Sequence, residues 1–330
     1  MPESPLQRIV PQRPRSFQSV TIPSVPLPLA CTVRTCRQPL RRESQRFVCN
    51  RGHSYDVART GYVNLLQPQD RRSREPGDAR ATVEARVELE KAGIGAALTR
   101  AVAGRVEGLS LGPGAVLVEL GCGTGRALAT VAASGAYAAV GVDLSAAAVT
   151  YAARHWQEPT WVVANADRGL PLVDRGVNVV LSLHARRNPA EAARVLAPGG
   201  VLIVAVPGAD DLIELRTEVQ GEGVRRSRID QVIAEHAPFF HVRERFSVHE
   251  QRHFDGGLLR QLLLTTYRGA RTSEARRIEA LTSLDVTLSS DGCVLSAAVG
   301  GGRSRQKAKG KRQKAKRQRP YLRCAAAARV

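Results

Sequence analysis

One stretch, Val116-Leu-Val-Glu-Leu-Gly-Cys-Gly-Thr-Gly125, constrains the fold of this chain more than any other. Its apolar opening, Val116 to Val118, reads as a buried parallel strand bounded by turn residues. Glu119 follows, and Gly121, Gly123 and Gly125 then alternate through a tight turn, with Thr124 between the last two. Arg126 to Ala133 reads as a helix. Glycine belongs where backbone must turn sharply and approach a ligand closely. The next strand, Ala138 to Val142, ends at Asp143-Leu144, where a carboxylate can accept hydrogen bonds from two ribose hydroxyls. Strand, glycine turn, helix, strand and acid open an α/β sheet with a ligand over the turn.

A glycine-rich βα turn with a later acid is shared with dinucleotide-binding domains. Here the glycines run G-x-G-x-G instead of G-x-G-x-x-G, and an acid stands two residues before the first. That pattern resembles the class I (Rossmann-like) S-adenosylmethionine methyltransferases. The resemblance implies that Glu119, Gly121, Gly123, Thr124, Gly125, Asp143 and Leu144 hold the cofactor, with Asp143 on the ribose. Downstream, strands at 160–164, 177–183 and 200–206 alternate with helices at about 145–154 and 189–196, as in a doubly wound sheet. Asn165 and Asp167, after the third strand, stand where the adenine would lie. Phe240 to His249 and a hairpin over 284–296, turned at Asp291-Gly292, are expected to complete the sheet in antiparallel sense.

The chain has 330 residues and a formal net charge of +19, and the location of that charge says more than its size. Residues 31–80 hold 11 Lys/Arg against 5 Asp/Glu, residues 303–330 hold 12 against none, and residues 81–302 hold 23 against 24. A neutral core flanked by basic segments suits a polyanionic partner. A solvated basic surface is the plainer reading of the final segment. No apolar run approaches the roughly 20 residues of a membrane span. Residues 1–30, rich in proline, read as a disordered leader that weakly resembles a transit peptide or reflects an upstream start. Residues 303–330 read as a disordered basic tail.

At Cys31 the character changes. Cys31-x4-Cys36 and Cys49-x3-His53 are two ligand knuckles, and three thiolates with one imidazole make a tetrahedral Zn2+ site. A module this small lacks its own core, so a closed metal site supplies folding energy. A disulfide would leave one cysteine over. Cys122, Cys293 and Cys324 have no partners at ligand spacing. Beyond the knuckles stand Gly61-Tyr-Val-Asn-Leu-Leu66 and the arginine cluster Arg71-Arg-Ser-Arg-Glu-Pro-Gly-Asp78. Arginines beside aromatics grip phosphates and stack on bases. Tyr55 and Tyr62 either do this or pack the zinc module onto its neighbour. Residues 80–106 read as helix interrupted at Gly93 and Gly95.

Taken in order, Cys31…Cys36…Cys49…His53, Gly61–Leu66, Arg71–Asp78 and Glu119-x-Gly-x-Gly-x-Gly125 resemble the bacterial zinc-containing 23S ribosomal RNA guanine-N1 methyltransferases. The resemblance covers about residues 31–300. It implies an N-terminal zinc-binding RNA-recognition module over 31–78, a methyltransferase domain over 79–302, a cytoplasmic setting and often a homodimer. It implies methylation of a guanine in a hairpin loop of the peptide exit tunnel, and some relatives protect macrolide producers. Two departures stand out. Four residues separate Cys31 from Cys36 where many members have two, and Gly95 and Asp211 stand where relatives show an aromatic and a histidine near the cofactor. His184, at the carboxyl end of the fourth strand, is the candidate catalytic base, with a structural histidine as the alternative. An RNA-binding zinc adaptor with a non-catalytic fold and a small-molecule methyltransferase are the rival readings.

Overall fold

The structure, a computed structural model, describes residues 26–34, 36–70, 76–167, 169–221, 223–265 and 281–298. The expectations placed on most of the leader, on the arginines at 71, 72 and 74, and on the basic segment 303–330 lie outside the described residues.

Three short strands, β1 (Leu40–Glu43), β2 (Arg46–Cys49) and β3 (Ser54–Asp56), form a small antiparallel sheet beside the cysteine knuckles. A fourth, β4 (Tyr62–Asn64), leaves that sheet and runs parallel to β7 (Thr160–Val163). The large sheet adds β5 (Val116–Leu120), β6 (Ala138–Asp143), β8 (Val177–Leu183), β9 (Leu196–Pro207), β10 (Phe240–Asp255) and β11 (Ser283–Ala297). Its order is β10-β11-β9-β8-β5-β6-β7-β4; only β11 is antiparallel to its neighbours, and β10 beyond it, expected to be antiparallel, runs in the same direction as β9. This is the class I methyltransferase sheet expected from the glycine turn, extended at one edge by β4. All five residues of β5 are buried, as central parallel strands require.

The helices follow local signals. α1 (Arg80–Lys91) and α2 (Ala96–Glu107) are separated at Gly93 and Gly95, both at positive φ. α3 (Arg126–Ala132) follows the glycine turn directly. Ser145 caps α4 (Ala146–His155), and Asn188 caps α5 (Pro189–Val195), whose proline occupies the first turn. α6 (Ile213–Gln220), α7 (Ile229–His236) and α8 (Gly256–Thr265) complete the cover.

Three expectations need correction. The hairpin at Asp291-Gly292 does not form: β11 runs unbroken, with Gly292 paired to Ala205 on one side and Phe246 on the other. Gly292 serves a close approach, since a Cβ there would stand 2.2 Å from the Phe246 ring. The Arg105 guanidinium of α2 lies 3.8 Å over that same ring. The strand placed at 200–206 begins at Leu196, because Leu196 already pairs with Val177 before a register shift admits the following turn. Order also precedes Cys31. Leu29 is fully buried and bridges Leu172, and Ala30 bridges Pro39.

Through Leu29, Leu40, Phe47, Val63 and Leu65 the metal-side segment enters one continuous hydrophobic core with Val118, Val140 and Val162 of the large sheet. The small sheet is thus anchored on the face of the large one, and the C-terminal ends of β5, β6, β8 and β9 carry the groups described next.

Candidate functional site

The ligand atoms of Cys31, Cys36, Cys49 and His53 lie within 4.8 Å of one another. Cys36 Sγ and Cys49 Sγ are 3.8 Å apart, and His53 Nδ1 stands 3.4 Å from both Cys31 Sγ and Cys49 Sγ. Tetrahedral zinc with metal–ligand bonds of about 2.0–2.3 Å separates its sulfurs by about 3.8 Å and sulfur from nitrogen by about 3.5 Å. Donor chemistry and spacing both fit zinc. The Tyr55 hydroxyl lies 3.1 Å from Cys31 Sγ and accepts from the backbone N–H of Thr32 and Val33. Tyr55 is therefore a buried support of the cluster, which decides its role between base stacking and packing. Tyr62 is half-buried in β4 against the large sheet.

The glycine turn shows why its residues must be glycine. Gly121 and Gly125 have φ of 70° and 79°. A Cβ at Gly121 would meet the Ala185 methyl at 2.6 Å, and one at Gly125 would enter the Trp161 ring at 2.4 Å. At Gly123 the nearest atom is Arg86 Cδ at 3.8 Å, so this glycine forms an open floor. Asp143 braces the turn: Oδ2 accepts from the Gly123 N–H (2.9 Å) and Oδ1 from the Ser145 N–H (2.8 Å). Glu119 Oε2 accepts from the Leu128 N–H at 3.0 Å, tying β5 to α3. Burial pushes the Glu119 carboxyl up to about 8, with Asp143 and Glu90 adding to the effect. Burial also raises Asp143, against the pull of its two backbone N–H donors. Leu144 lies half-buried beside them. A glycine floor between the buried Glu119 and the half-buried Asp143 suits a cationic, ribose-bearing ligand, so these residues fit S-adenosylmethionine.

α1 closes the crevice from above. Glu90 Oε1 accepts from the Thr124 hydroxyl at 2.5 Å, and the Glu90 carbonyl accepts from the Arg126 guanidinium. Arg86 pairs with Asp78 at 3.0 Å, while the Asp78 carbonyl accepts from the Ser145 hydroxyl. At the adenine side, Asn165 donates to the Asp70 carbonyl and accepts from the Asp167 N–H. The Asp167 carboxylate pairs with Arg186 at 2.9 Å.

A cavity of about 700 Å³ opens under α1, α6 and α8, and Arg86 and Glu90 line it on the crevice side. His184 and Asp211 both line it, from the ends of β8 and β9, and Gly95 borders it between α1 and α2. His184 holds a positive φ of 53°, and its Nε2 lies 2.9 Å from the Ser290 hydroxyl. Burial, reinforced by Arg86 and Arg228, lowers it to about 4, so its ring is neutral at pH 7 and a weak base. Asp211 Oδ1 accepts from the Ser289 N–H at 3.0 Å, and burial lifts its carboxyl to about 6. Arg226 and Arg228, exposed and without an ion pair among the described residues, stand at the rim.

Sequence reasoning found the cluster, the turn, His184 and Asp211, and missed Arg86, Glu90, Ser289, Ser290 and the rim arginines. The run Val224-Arg-Arg-Ser-Arg228 was a visible signal, since it concentrates charge in an otherwise neutral core. The others carry none, because only the fold brings them to the cavity.

Comparison with known proteins agrees with this geometry. The family model described as RlmA, N-terminal, a zinc ribbon, matches residues 30–74. A methyltransferase-domain model matches residues 117–200. A Micromonospora griseorubida protein provisionally named 23S rRNA (guanine-N(1)-)-methyltransferase is 37% identical over 206 residues, 57% of this chain and 68% of that protein. A demethylmenaquinone methyltransferase of Tropheryma whipplei is 35% identical over only 106 residues, 29% of this chain and 43% of its own. The 23S rRNA (guanine(748)-N(1))-methyltransferase of Streptomyces fradiae is 37% identical over 208 residues, which span 62% of this chain and 73% of the relative. With zinc cluster, glycine crevice and this extent of similarity together, the chain belongs to the 23S rRNA (guanine-N1)-methyltransferase family.

Proposed function

We propose that this protein transfers a methyl group from S-adenosylmethionine to N1 of a guanine in 23S ribosomal RNA. One observation carries the reading beyond family membership: Arg86 and Glu90 of α1, which meet the glycine turn at Gly123 and Thr124, also line a cavity large enough for a nucleobase and rimmed by arginine. S-adenosylmethionine supplies an electrophilic methyl group when bound. The chain's own residues do the positioning. Asp143 holds the ribose, Gly121 to Gly125 seat the amino-acid end, and Asn165 with Asp167 border the adenine. α1 excludes water through Glu90 and Arg86, since catalysis of this kind rests chiefly on alignment in a dry site. His184, neutral and fixed by Ser290, orients the entering base.

Cys31, Cys36, Cys49 and His53 hold zinc, which fixes the small sheet so that its basic surface meets the RNA. The Arg71–Arg74 cluster, next in sequence, adds to the basic character of this segment. Arg226 and Arg228 take phosphates beside the splayed loop. Among the described residues no helix is long and apolar enough to cross a membrane. A cytoplasmic setting and a homodimer form part of the proposal, as does protection from macrolides, which drug susceptibility with and without the gene measures.

The test is methyl transfer into 23S rRNA fragments, read by reverse transcription, because a methyl on N1 blocks the Watson–Crick edge and stops the polymerase. One strong stop at a hairpin-loop guanine is expected. Methyl incorporation without a stop would overturn the N1 assignment, and transfer to small molecules alone would favour the rival class. Replacing Arg226 and Arg228 with alanine should weaken RNA binding and lower its log–log salt slope by about one per arginine.

A further inference from the structure

We propose that Asp211 is the general base of the reaction, accepting the N1 proton of the target guanine through its Oδ2 atom. The inference rests on the guanine-N1 reading above. It reassigns a residue expected from the sequence to touch the cofactor.

Position argues first. Asp211 follows the end of β9, two strands away from β5 in the order β9-β8-β5-β6. At about 4.8 Å per strand, that places it about 10 Å across the sheet from the glycine turn. The methyl donor spans the ends of β5 and β6, so the ends of β8 and β9 face the acceptor. Asp211 is therefore on the acceptor side of the transferred methyl.

Its carboxylate is also held rigidly, with one oxygen left for a ligand. Oδ1 accepts from the Ser289 N–H at 3.0 Å. The next residue, Leu212, sits at a positive φ of 55°, and its N–H donates to the Thr287 carbonyl at 2.7 Å. Asp210 accepts from the Ser289 hydroxyl at 2.6 Å, and Gly208 presses so closely on that serine that a Cβ would stand 2.3 Å from its Oγ. The loop is thus bolted to β11 on both sides of Asp211. Among the described residues no group donates to Oδ2, and the residue lines the cavity. Guanine presents N1–H as a donor on the edge to be methylated, so an aimed carboxylate oxygen is its complement.

The other candidate base in the cavity is His184. Its Nε2 is already engaged by Ser290, and burial keeps its basicity low. Asp211 is better matched to its task. Burial lifts its carboxyl to about 6, Asp210 adds to the rise, and Ser289, Arg216 and Arg228 oppose it. It remains ionised at neutral pH yet is a stronger base than an exposed aspartate. The other charged groups around the cavity are Arg86 and Glu90 from α1 and Glu250 from β10, with Arg226 at the rim. On the same loop and its flanks, His249 pairs with Asp210, and Glu214 is bonded to Thr287.

The step balances as follows. The N1–H proton moves to Asp211 Oδ2, and the freed N1 electron pair forms the bond to the methyl carbon. The methyl–sulfur bond breaks with its pair remaining on sulfur, which turns the sulfonium into a neutral thioether. Asp211, now a neutral acid, returns its proton to water after release of the RNA.

The experiment is single-turnover transfer at saturating RNA and donor, from pH 5.5 to 9, for wild type, Asp211→Asn and Asp211→Glu. Asparagine keeps an acceptor for the Ser289 N–H and cannot take the proton. Wild type should rise with pH and level off above about 6–7, as the carboxyl ionises. Asp211→Asn should fall by about 100- to 10,000-fold at pH 7. Its rate should then climb about tenfold per pH unit, because only guanine ionised by solvent reacts. Asp211→Glu should keep the plateau at a reduced rate. Calorimetry should show donor affinity unchanged in Asp211→Asn. A wild-type plateau in Asp211→Asn, or loss of donor affinity by the same factor as rate, would overturn the assignment. Should Asp211→Asn fail to fold, a linear rise replacing the plateau in Asp211→Glu would overturn it equally. A wild-type protein that leaves guanine N1 unmethylated would instead refute the function on which the inference rests.

Discussion

The metal cluster and the glycine crevice with its adjoining cavity are built on opposite plans. All four metal ligands come from 23 consecutive residues, Cys31 to His53, and their donor atoms converge within 4.8 Å. The cavity gathers Arg86 of α1, His184 and Asp211 from the ends of β8 and β9, and Ser290 of β11, a set spread over more than 200 residues of sequence. In the first, the ion itself closes the site and compensates its thiolates. In the second, the sheet is the scaffold: Glu119 is buried with other acids as its nearest charges, and half-buried Asp143 has only Arg86 to offset it among the described residues. A site of the first kind should fail as a unit when one residue is lost. A site of the second kind should lose function gradually while its scaffold survives.

The strongest way to break this contrast is to remove one thiolate. Cys49→Ser should abolish zinc binding, whose free energy for a structural site is on the order of 10 kcal/mol. The loss should expose amides of residues 36–66 to hydrogen exchange and leave those of β5 and β8 protected. Because Cys31, Phe47 and Val118 share one core, the melting temperature of the whole protein should fall as well. A one-to-one zinc content retained in the variant would show that these residues do not form the site.

A smaller effect is expected from the cavity side. With Asp143 on the ribose, as proposed above, Asp143→Ala should cost a charge-assisted hydrogen bond, for which about 1.5–3 kcal/mol is usual, or roughly 10- to 150-fold in donor affinity. The same carboxylate also braces Gly123 and Ser145, so the turn should loosen locally while the sheet stays folded. Calorimetry with S-adenosylmethionine and a thermal melt together decide it. Wild-type affinity would move the ribose site elsewhere, and global unfolding would make the crevice as brittle as the metal cluster.

The two plans also explain what was legible in the sequence. Ligand knuckles and the glycine turn are local, so spacing alone located Cys31, Cys36, Cys49, His53 and Gly121 to Gly125. The parallel strands were equally plain, because strands buried on both faces are continuous apolar runs. Asp291-Gly292 misled for the opposite reason. Its local turn chemistry was overridden by pairing on both sides with β9 and β10, and its glycine answers to the Phe246 ring, which is distant in sequence. The closure of the crevice by Glu90 and Arg86 was silent, since charges on an exposed-looking helix carry no sign that a sheet lies beneath them. β4 was read as part of the metal module, and only its register with β7 reveals that it extends the large sheet.

The smallest effect is the most specific to the cavity's plan. Glu119 is 3% exposed and its carboxyl is pushed up to about 8, first by burial and then by Asp143 and Glu90. In the unfolded chain a glutamate titrates near about 4.3. The folded state therefore binds this proton more tightly, and the stability it contributes is fully present below about 4.3 and lost as pH rises through about 8. Glu119→Gln keeps a carbonyl oxygen to accept from the Leu128 N–H and never ionises. Glu90, Asp143 and Asp211 have raised values too, but they titrate in both proteins and largely cancel in the difference. Without donor, the variant should gain on wild type steadily between pH 5 and 8, by at most about 1.4 kcal/mol per pH unit. Urea unfolding midpoints at five pH values measure the gap. A gap that stays constant would mean that Glu119 is already ionised and solvated at pH 5. The crevice would then be wet, and Glu119 would not be the uncompensated, buried charge on which the contrast with the metal cluster depends.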